Sequence, residues 1–171
     1  MKIDTPIEPN EIAGKYLTFN LMDEHYGVNV EWILQIIAIP DITTIPKTPT
    51  FVRGVINLRG KIIPVMDLRL KFNLPEQEYD DRTSIIVIRI KPEIDRDEIF
   101  IGIIVDKVLE VLDIHSNEVE KTPTFGVDFD AGFILGMAKV KNKVVSLLNI
   151  SKILTSSEIA QIEKTKTCPM V

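Results

Sequence analysis

The chain is poor in the residues that most enzymes and secreted proteins lean on: one cysteine (Cys168), two histidines, one tryptophan, and 6% aromatics in 171 residues. A lone cysteine forms no internal disulfide, so nothing demands an oxidising compartment, and the cytoplasm is the default. His25 falls in a strand or turn and His115 precedes a helix cap at Ser116; both read as surface or packing residues, and neither begins an H-E-x-x-H metal site. There is no G-x-S-x-G elbow, no G-x-x-x-x-G-K-[ST] loop and no G-x-G-x-x-G fingerprint, so nucleophilic and nucleotide chemistry lack their usual frames. The acidic clusters "DRDE" (95–98) and "DFD" (128–130) lack EF-hand spacing and read as solvated loop charge. No metal, no cofactor and no enzymatic activity is expected.

Positive charge is also short. A formal net charge of -5 and a pI near 5.1 argue against a sequence-independent grip on nucleic acid, which needs Lys and Arg to replace phosphate counterions. No segment reaches the roughly 18 consecutive apolar residues of a membrane span. "MKIDTPIEPNEIAGK" has no apolar h-region and is not read as a signal peptide. The terminal "CPMV" matches C-a-a-X formally, but its proline makes a poor prenylation site, and a frayed tail is the plainer reading.

What the chain has is β-branched residues: isoleucine and valine supply 42 of the 171. They suit a pleated, half-buried surface, and the fold expected is all-β. The length fits one domain of ordinary size, or two very small ones sharing a core. "KYLTFNLM" and "EHYGVNV" alternate as strands around a turn at Asp23-Glu24, and "EWILQII" reads as a short helix or irregular turn. "FVRGVINL" and "KIIPVM" form a hairpin over Arg59-Gly60, with Pro64 placing the second strand at an edge or a bulge. "NLPEQEYDD" (73–81) is a linker or exposed loop. "RTSIIVIRI" and "EIFIGIIV", joined by "KPEIDRD", are central strands buried on both faces. "GFILGMAKV" and "KVVSLLN" form a last hairpin over Lys141-Asn142, and "TSSEIAQIEK" carries the capping-box pair Thr155 and Glu158 of a C-terminal helix.

The two hairpins repeat one another. "GVINLRGKIIPVMDLRLKF" (54–72) aligns without a gap on "GMAKVKNKVVSLLNISKIL" (136–154), matching Gly54 with Gly136, Lys61 with Lys143, Ile62 with Val144 and Val65 with Leu147. Gly60 meets Asn142, the residue types that most readily adopt left-handed backbone, and Asp67 meets Asn149, both favoured N-caps. Upstream, "HYGVNVEWIL" (25–34) parallels "FIGIIVDKVL" (100–109), and "TPTF" occurs at 48–51 and 122–125. A few short strands cover their own edges only by curling, so two small packed barrels are the natural architecture, with repeats at about 25–72 and 100–154 between an N-terminal flexible tail (1–14) and a C-terminal helix and tail (155–171).

With "YGVNVEWILQI", "FVRGVINLRGKIIPVMDLRLKF", "IIVIRI…IGIIVDKVLEVLDI" and "GMAKVKNKVVSLLNISKIL" in place, the segment from about Lys15 to Leu154 resembles the CheW family of bacterial chemotaxis coupling proteins. The resemblance implies two five-stranded SH3-like barrels on a shared core. It also implies a non-enzymatic adaptor, of the stand-alone kind at this length, joining the cytoplasmic tip of transmembrane chemoreceptors to the histidine kinase CheA through its CheW-like regulatory domain. Such a protein works in the cytoplasm, recruited to receptor arrays without inserting into the membrane. A receptor-facing groove would contain Ile33, Gly54, Asn57 and Arg59. Gln35 lies beside it, where members often carry an acidic residue, so an ion pair made there in relatives is lost or replaced.

The kinase-contacting residues are not singled out beyond exposed strand edges and hairpin loops. Trp32 reads as either a core anchor or an exposed hot spot. Arg59, a long cation on a rigid turn, is either preorganised for an acidic or carbonyl-rich partner or simply solvated. Two other functions stay open: a split-barrel protein holding a small molecule or cofactor between the barrels, and a coupler of the same fold in a non-motility pathway.

Overall fold

A computed structural model describes residues 9–90, 98–120 and 133–153. Within them lie the strands β1 (Gly14–Leu21), β2 (Glu24–Asn29), β3 (Ile33–Ala38), β4 (Val52–Leu58), β5 (Lys61–Asp67), β6 (Ser84–Ile90), β7 (Ile99–Val105), β8 (Lys107–Ile114), β9 (Val119–Glu120), β10 (Ile134–Val140) and β11 (Lys143–Leu148). Among the described residues helix is confined to single turns, of which Pro9–Ile12 is α1 and Leu68–Lys71 is α2. The mostly β architecture expected from the composition is the one observed.

Two sheets form, in the orders β8-β1-β2-β11-β10-β9 and β3-β6-β7-β5-β4. The first has five full strands and the two-residue β9 as its sixth. In the second, β3 and β4 are the edges, yet the chain leaving β3 turns back and Thr43 exchanges two backbone hydrogen bonds of 2.9 Å with Val55 of β4. That bridge rolls the sheet into a barrel and removes most of its open edge. In the first sheet the edge strands β8 and β9 are consecutive in the chain, joined by a 3-10 turn at Ser116–Glu118.

The aligned repeat segments do not each build one barrel. Val65 of β5 pairs in parallel with Gly102 of β7, while Leu147 of β11 pairs in parallel with Gly27 of β2. Since Val65 matches Leu147 and Gly102 matches Gly27, each repeat lends its first strand to the other's hairpin. The equivalence extends to irregularities. Register slips between Val52 and Gly54 and again between Ile134 and Gly136, and the amides of Asp67 and Asn149 donate to Phe51 O and Phe133 O, each at 2.7 Å.

Strand alternation then sorts the apolar side chains into three clusters. Ile85 and Val87 join Ile56, Ile63, Val65 and Ile104 inside the five-stranded barrel. Tyr16 and Ile114 join Ala138, Val145 and Leu147 inside the other. Leu17, Phe19, Leu21, Ile86, Ile88, Ile90, Ile101 and Ile103 meet between the barrels in the largest cluster. Strands β1, β6 and β7 are buried on both faces because one face fills a barrel and the other fills the seam, as the apolar runs of β6 and β7 predict.

Four local expectations change. "EWILQII" is not helical beyond a 3-10 turn at Val30–Trp32, started by Asn29 Oδ1 accepting from Glu31 N at 3.0 Å. From Ile33 it is β3, paired with β6: a register slip after Ile33 leaves Ile33 opposite Ile88 on the seam side, while Gln35 and Ile37 stand opposite Val87 and Ile85 on the barrel side. Pro64 lies in an inner strand, not an edge. Its partner Val55 directs both backbone groups to Thr43, so the pair carries no ladder bond, and pairing with β7 starts only at Val65, leaving no place where a proline N–H is missed. The expected flexible tail is held from Pro9 onward: Ile12 is buried and Tyr16 Oη donates to Ile12 O at 2.6 Å. The cap expected at Ser116 is His115, whose amide donates to Glu118 Oε1 at 2.9 Å. "KPEIDRD" (91–97), "DFD", the second "TPTF", the C-terminal helix and Cys168 lie outside the described residues.

Candidate functional site

Arg59 and Gly60 form a two-residue turn with φ of 53° and 84°, the left-handed pair that matches the twist of a tight hairpin. Asn57 Oδ1 accepts from Gly60 N at 2.9 Å and fastens the turn. Asn57 stands opposite the exposed Ile62, and Lys61 Nζ sits 4.9 Å from the Phe100 ring centroid. The Arg59 side chain projects into solvent, with no hydrogen bond or ion pair among the described residues. This places a cation on a rigid stem without neutralising it.

Further down β4, Gly54 has φ of 143°, and a Cβ there would lie 2.0 Å from Thr43 O. Its position is dictated by the bridge that closes the barrel. Ile33 and Gln35 are both half-buried on β3, but the register slip between them pairs Ile33 with Ile88 on the seam side, where it packs on the seam cluster, and Gln35 with Val87 on the barrel side. Of the five residues singled out from the sequence, Asn57 and Arg59 are therefore together at one tip. Gly54 lies beneath them, and Ile33 and Gln35 are on the edge strand whose continuation the Thr43 bridge brings beside β4. Trp32 is half-buried against the seam cluster, with part of its ring left to solvent.

Sequence reasoning missed two features. The first is the outer face of β3, where Leu34 and Ile36 are 51% and 44% exposed; the alternation of "ILQIIA" carried that signal once the segment is read as a strand. Val111 of the opposite edge strand β8 and Val144 of β11 are likewise exposed.

The second is a charge network between the barrels. Asp67 caps α2 as expected, accepting from Arg69 N at 2.9 Å, and its other oxygen accepts from Tyr79 Oη at 2.8 Å. Arg69, nearly buried, forks onto both oxygens of Asp106, with Nε to Oδ1 at 2.6 Å, and reaches Pro75 O and Gln77 Oε1. Asp106 sits between β7 and β8, where the chain passes from one sheet to the other, and also accepts from Met22 N in the β1–β2 turn at 2.8 Å. Arg53, at the β4 register slip, pairs with Glu76 and donates to Tyr79 Oη at 2.9 Å. Hydrogen bonding to Asp106 raises the Arg69 pKa, and burial followed by the bond to Asp67 pushes Tyr79 up.

Asp67, Arg69, Gln77, Tyr79 and Asp106 line a cavity of about 270 Å³ together with Asn20 and Lys107. Their charges are largely spent on one another, which makes the network a strut. Among the described residues no group of three or more His, Cys, Asp or Glu is placed to hold a metal ion. Asn149, the counterpart of Asp67, caps nothing with its side chain: its Oδ1 accepts from Ser151 Oγ at 2.6 Å, and only a 3-10 turn follows.

Two rolled sheets sharing a seam, an unneutralised cation on a stiff turn and exposed apolar side chains on the edge strands β3 and β8 define a binding scaffold. The family model for the CheW-like domain matches residues 15–158. The chain is 32% identical over 152 residues to the chemotaxis protein CheW of Klebsiella aerogenes, covering 89% of this chain and 88% of that protein. It is 36% identical over 143 residues to that of Thermotoga maritima, covering 81% and 85%. The crystal structure of the scaffolding protein TtCheW from Thermoanaerobacter tengcongensis matches with a TM-score of 0.74 at 32% identity, over 85% of this chain and 95% of that one. The chain belongs to the CheW family of chemotaxis scaffold proteins.

Proposed function

We propose that this chain couples the cytoplasmic tips of transmembrane chemoreceptors to the histidine kinase CheA, working in the cytoplasm at receptor arrays. The observation that carries the reading is the Arg59-Gly60 tip. Its left-handed turn, fastened by Asn57, presents a cation at little entropic cost beside a closed barrel. The receptor contact comprises Arg59 and Asn57 with Ile33, Gln35 and the strand around Gly54. The kinase contact uses the outer faces of the edge strands, Leu34 and Ile36 of β3 and Val111 of β8, where a regulatory domain of like fold can pack edge to edge. Among the described residues no helix is long and apolar enough to cross a membrane, in keeping with recruitment through receptors.

Coupling requires contacts that favour one kinase state over another, and an array adds multivalency to individually weak contacts. The test is kinase autophosphorylation with receptor-bearing membranes, with and without this protein, and with Arg59→Glu. Receptor-dependent control is expected only with the wild-type chain, and Arg59→Glu is expected to lower receptor co-sedimentation at least tenfold while melting unchanged. Full control by Arg59→Glu would remove the tip from the receptor contact, and no control by the wild type would remove the coupling role.

A further inference from the structure

The second hairpin tip, over Lys141-Asn142, repeats the first in backbone and exceeds it in charge. Its central residues have φ of 49° and 63°, and its cross-strand pairs Lys139 with Val144 and Val140 with Lys143 copy Asn57 with Ile62 and Leu58 with Lys61. Where the first tip carries Asn57, Arg59 and Lys61, the second carries Lys139, Lys141 and Lys143, all exposed. None of the three forms an ion pair among the described residues. Glu110 lines the same small barrel mouth as Lys141 and Lys143 without coming into ion-pair contact.

Three like charges on one tip of a chain with net charge -5 make a local positive field that the chain as a whole does not have. The acidic remainder repels extended polyanions, which gain affinity by covering many phosphates at once. Beside the lysines Val144 is 54% exposed, directly opposite Lys139. A partner meeting both carries carboxylates next to an apolar side chain, which is the surface of an acidic amphipathic helix.

From this we infer that Lys139, Lys141, Lys143 and Val144 form a second docking tip, on the opposite barrel from Arg59, for an acidic helical segment. The receptor's cytoplasmic hairpin is the occupant, an assignment that rests on the receptor reading of Arg59. The molecule is then bivalent: two equivalent tips on two barrels engage two receptor hairpins.

The experiment titrates the full-length protein with the soluble cytoplasmic fragment of a chemoreceptor from the same organism, reading stoichiometry by calorimetry and sedimentation. Two fragments per chain are expected, falling to one in Lys139→Glu/Lys141→Glu/Lys143→Glu and to one in Arg59→Glu, with affinity at the second tip dropping at least tenfold between low and high salt. Should the triple variant misfold, Lys141→Gln/Lys143→Gln with Val144→Asp is the substitute, and a melting curve decides which is used. Loss of all binding in the lysine variant with none in Arg59→Glu would uphold this tip and remove the first. One fragment per chain, lost in Arg59→Glu and untouched by lysine substitution, would overturn the second tip while leaving the first. Lysine-dependent capture of a short DNA duplex or of anionic vesicles in place of the fragment would overturn it as well.

Discussion

Gly54 and Gly60 both have positive φ, but for different physical reasons, and substitution separates them. A Cβ on Gly60 meets nothing within 4 Å, so only the left-handed backbone resists it. Gly60→Val is expected to cost about 1 kcal/mol or somewhat more, a fall in melting temperature of roughly 2–4 °C for a chain of this size. A Cβ on Gly54 runs into the Thr43 carbonyl, which has no flexible end to yield, so Gly54→Ala should cost more than Gly60→Ala by thermal denaturation. Equal losses would mean that the bridge does not hold the barrel shut. Any loss of receptor binding on replacing Gly54 then reflects an opened barrel, because its backbone is covered by Thr43. Arg59 and Gly60 were readable in the sequence because a tight turn is chemistry between neighbours. The close approach at Gly54 was not, because Thr43 reaches it through tertiary structure.

At the scale of elements, the hairpins were legible from "NLRGK" and "VKNK", and the doubly buried β6 and β7 from their unbroken apolar runs. β3 was not, because "EWILQII" mixes a polar residue into a short apolar stretch whose period becomes clear only when β6 supplies a partner. As a strand, β3 has two jobs by exposure: the half-buried Ile33 and Gln35 belong to the proposed receptor contact, and the exposed Leu34 and Ile36 to the proposed kinase contact. Leu34→Asp/Ile36→Asp should therefore weaken binding of the isolated kinase regulatory domain at least tenfold while receptor-fragment binding stays within twofold. Parallel losses of both, with an unchanged melting curve, would show that the two contacts are not separable.

For the whole molecule, the charge network and the strand exchange act in the same direction. Asp106 ties α2 of one barrel to the β1–β2 turn of the other, and its residue type carried no hint of this because both partners are remote in sequence. Breaking a largely buried ion pair strands its partner, so Asp106→Asn should lower stability by about 2–3 kcal/mol, at the low end for such pairs because the carboxylate keeps some access to water. Unfolding should stay a single transition followed equally by Trp32 fluorescence and far-UV circular dichroism. Two separated transitions would mean that the barrels fold apart. The duplication was visible in aligned residues, but not the exchange, since the alignment records which strands are alike and not which ones pair.

The exchange also sets a schedule for synthesis. Gly27 of β2 waits for Leu147 of β11, 120 positions later, before its parallel partner exists. At roughly 5–20 residues per second the ribosome leaves that strand edge open for about 6–24 s, while β3, β4 and β5 need only the strands up to β7. The five-stranded barrel can thus close first, on the ribosome, and the six-stranded one must form around β1 and β2 only after β11 has emerged.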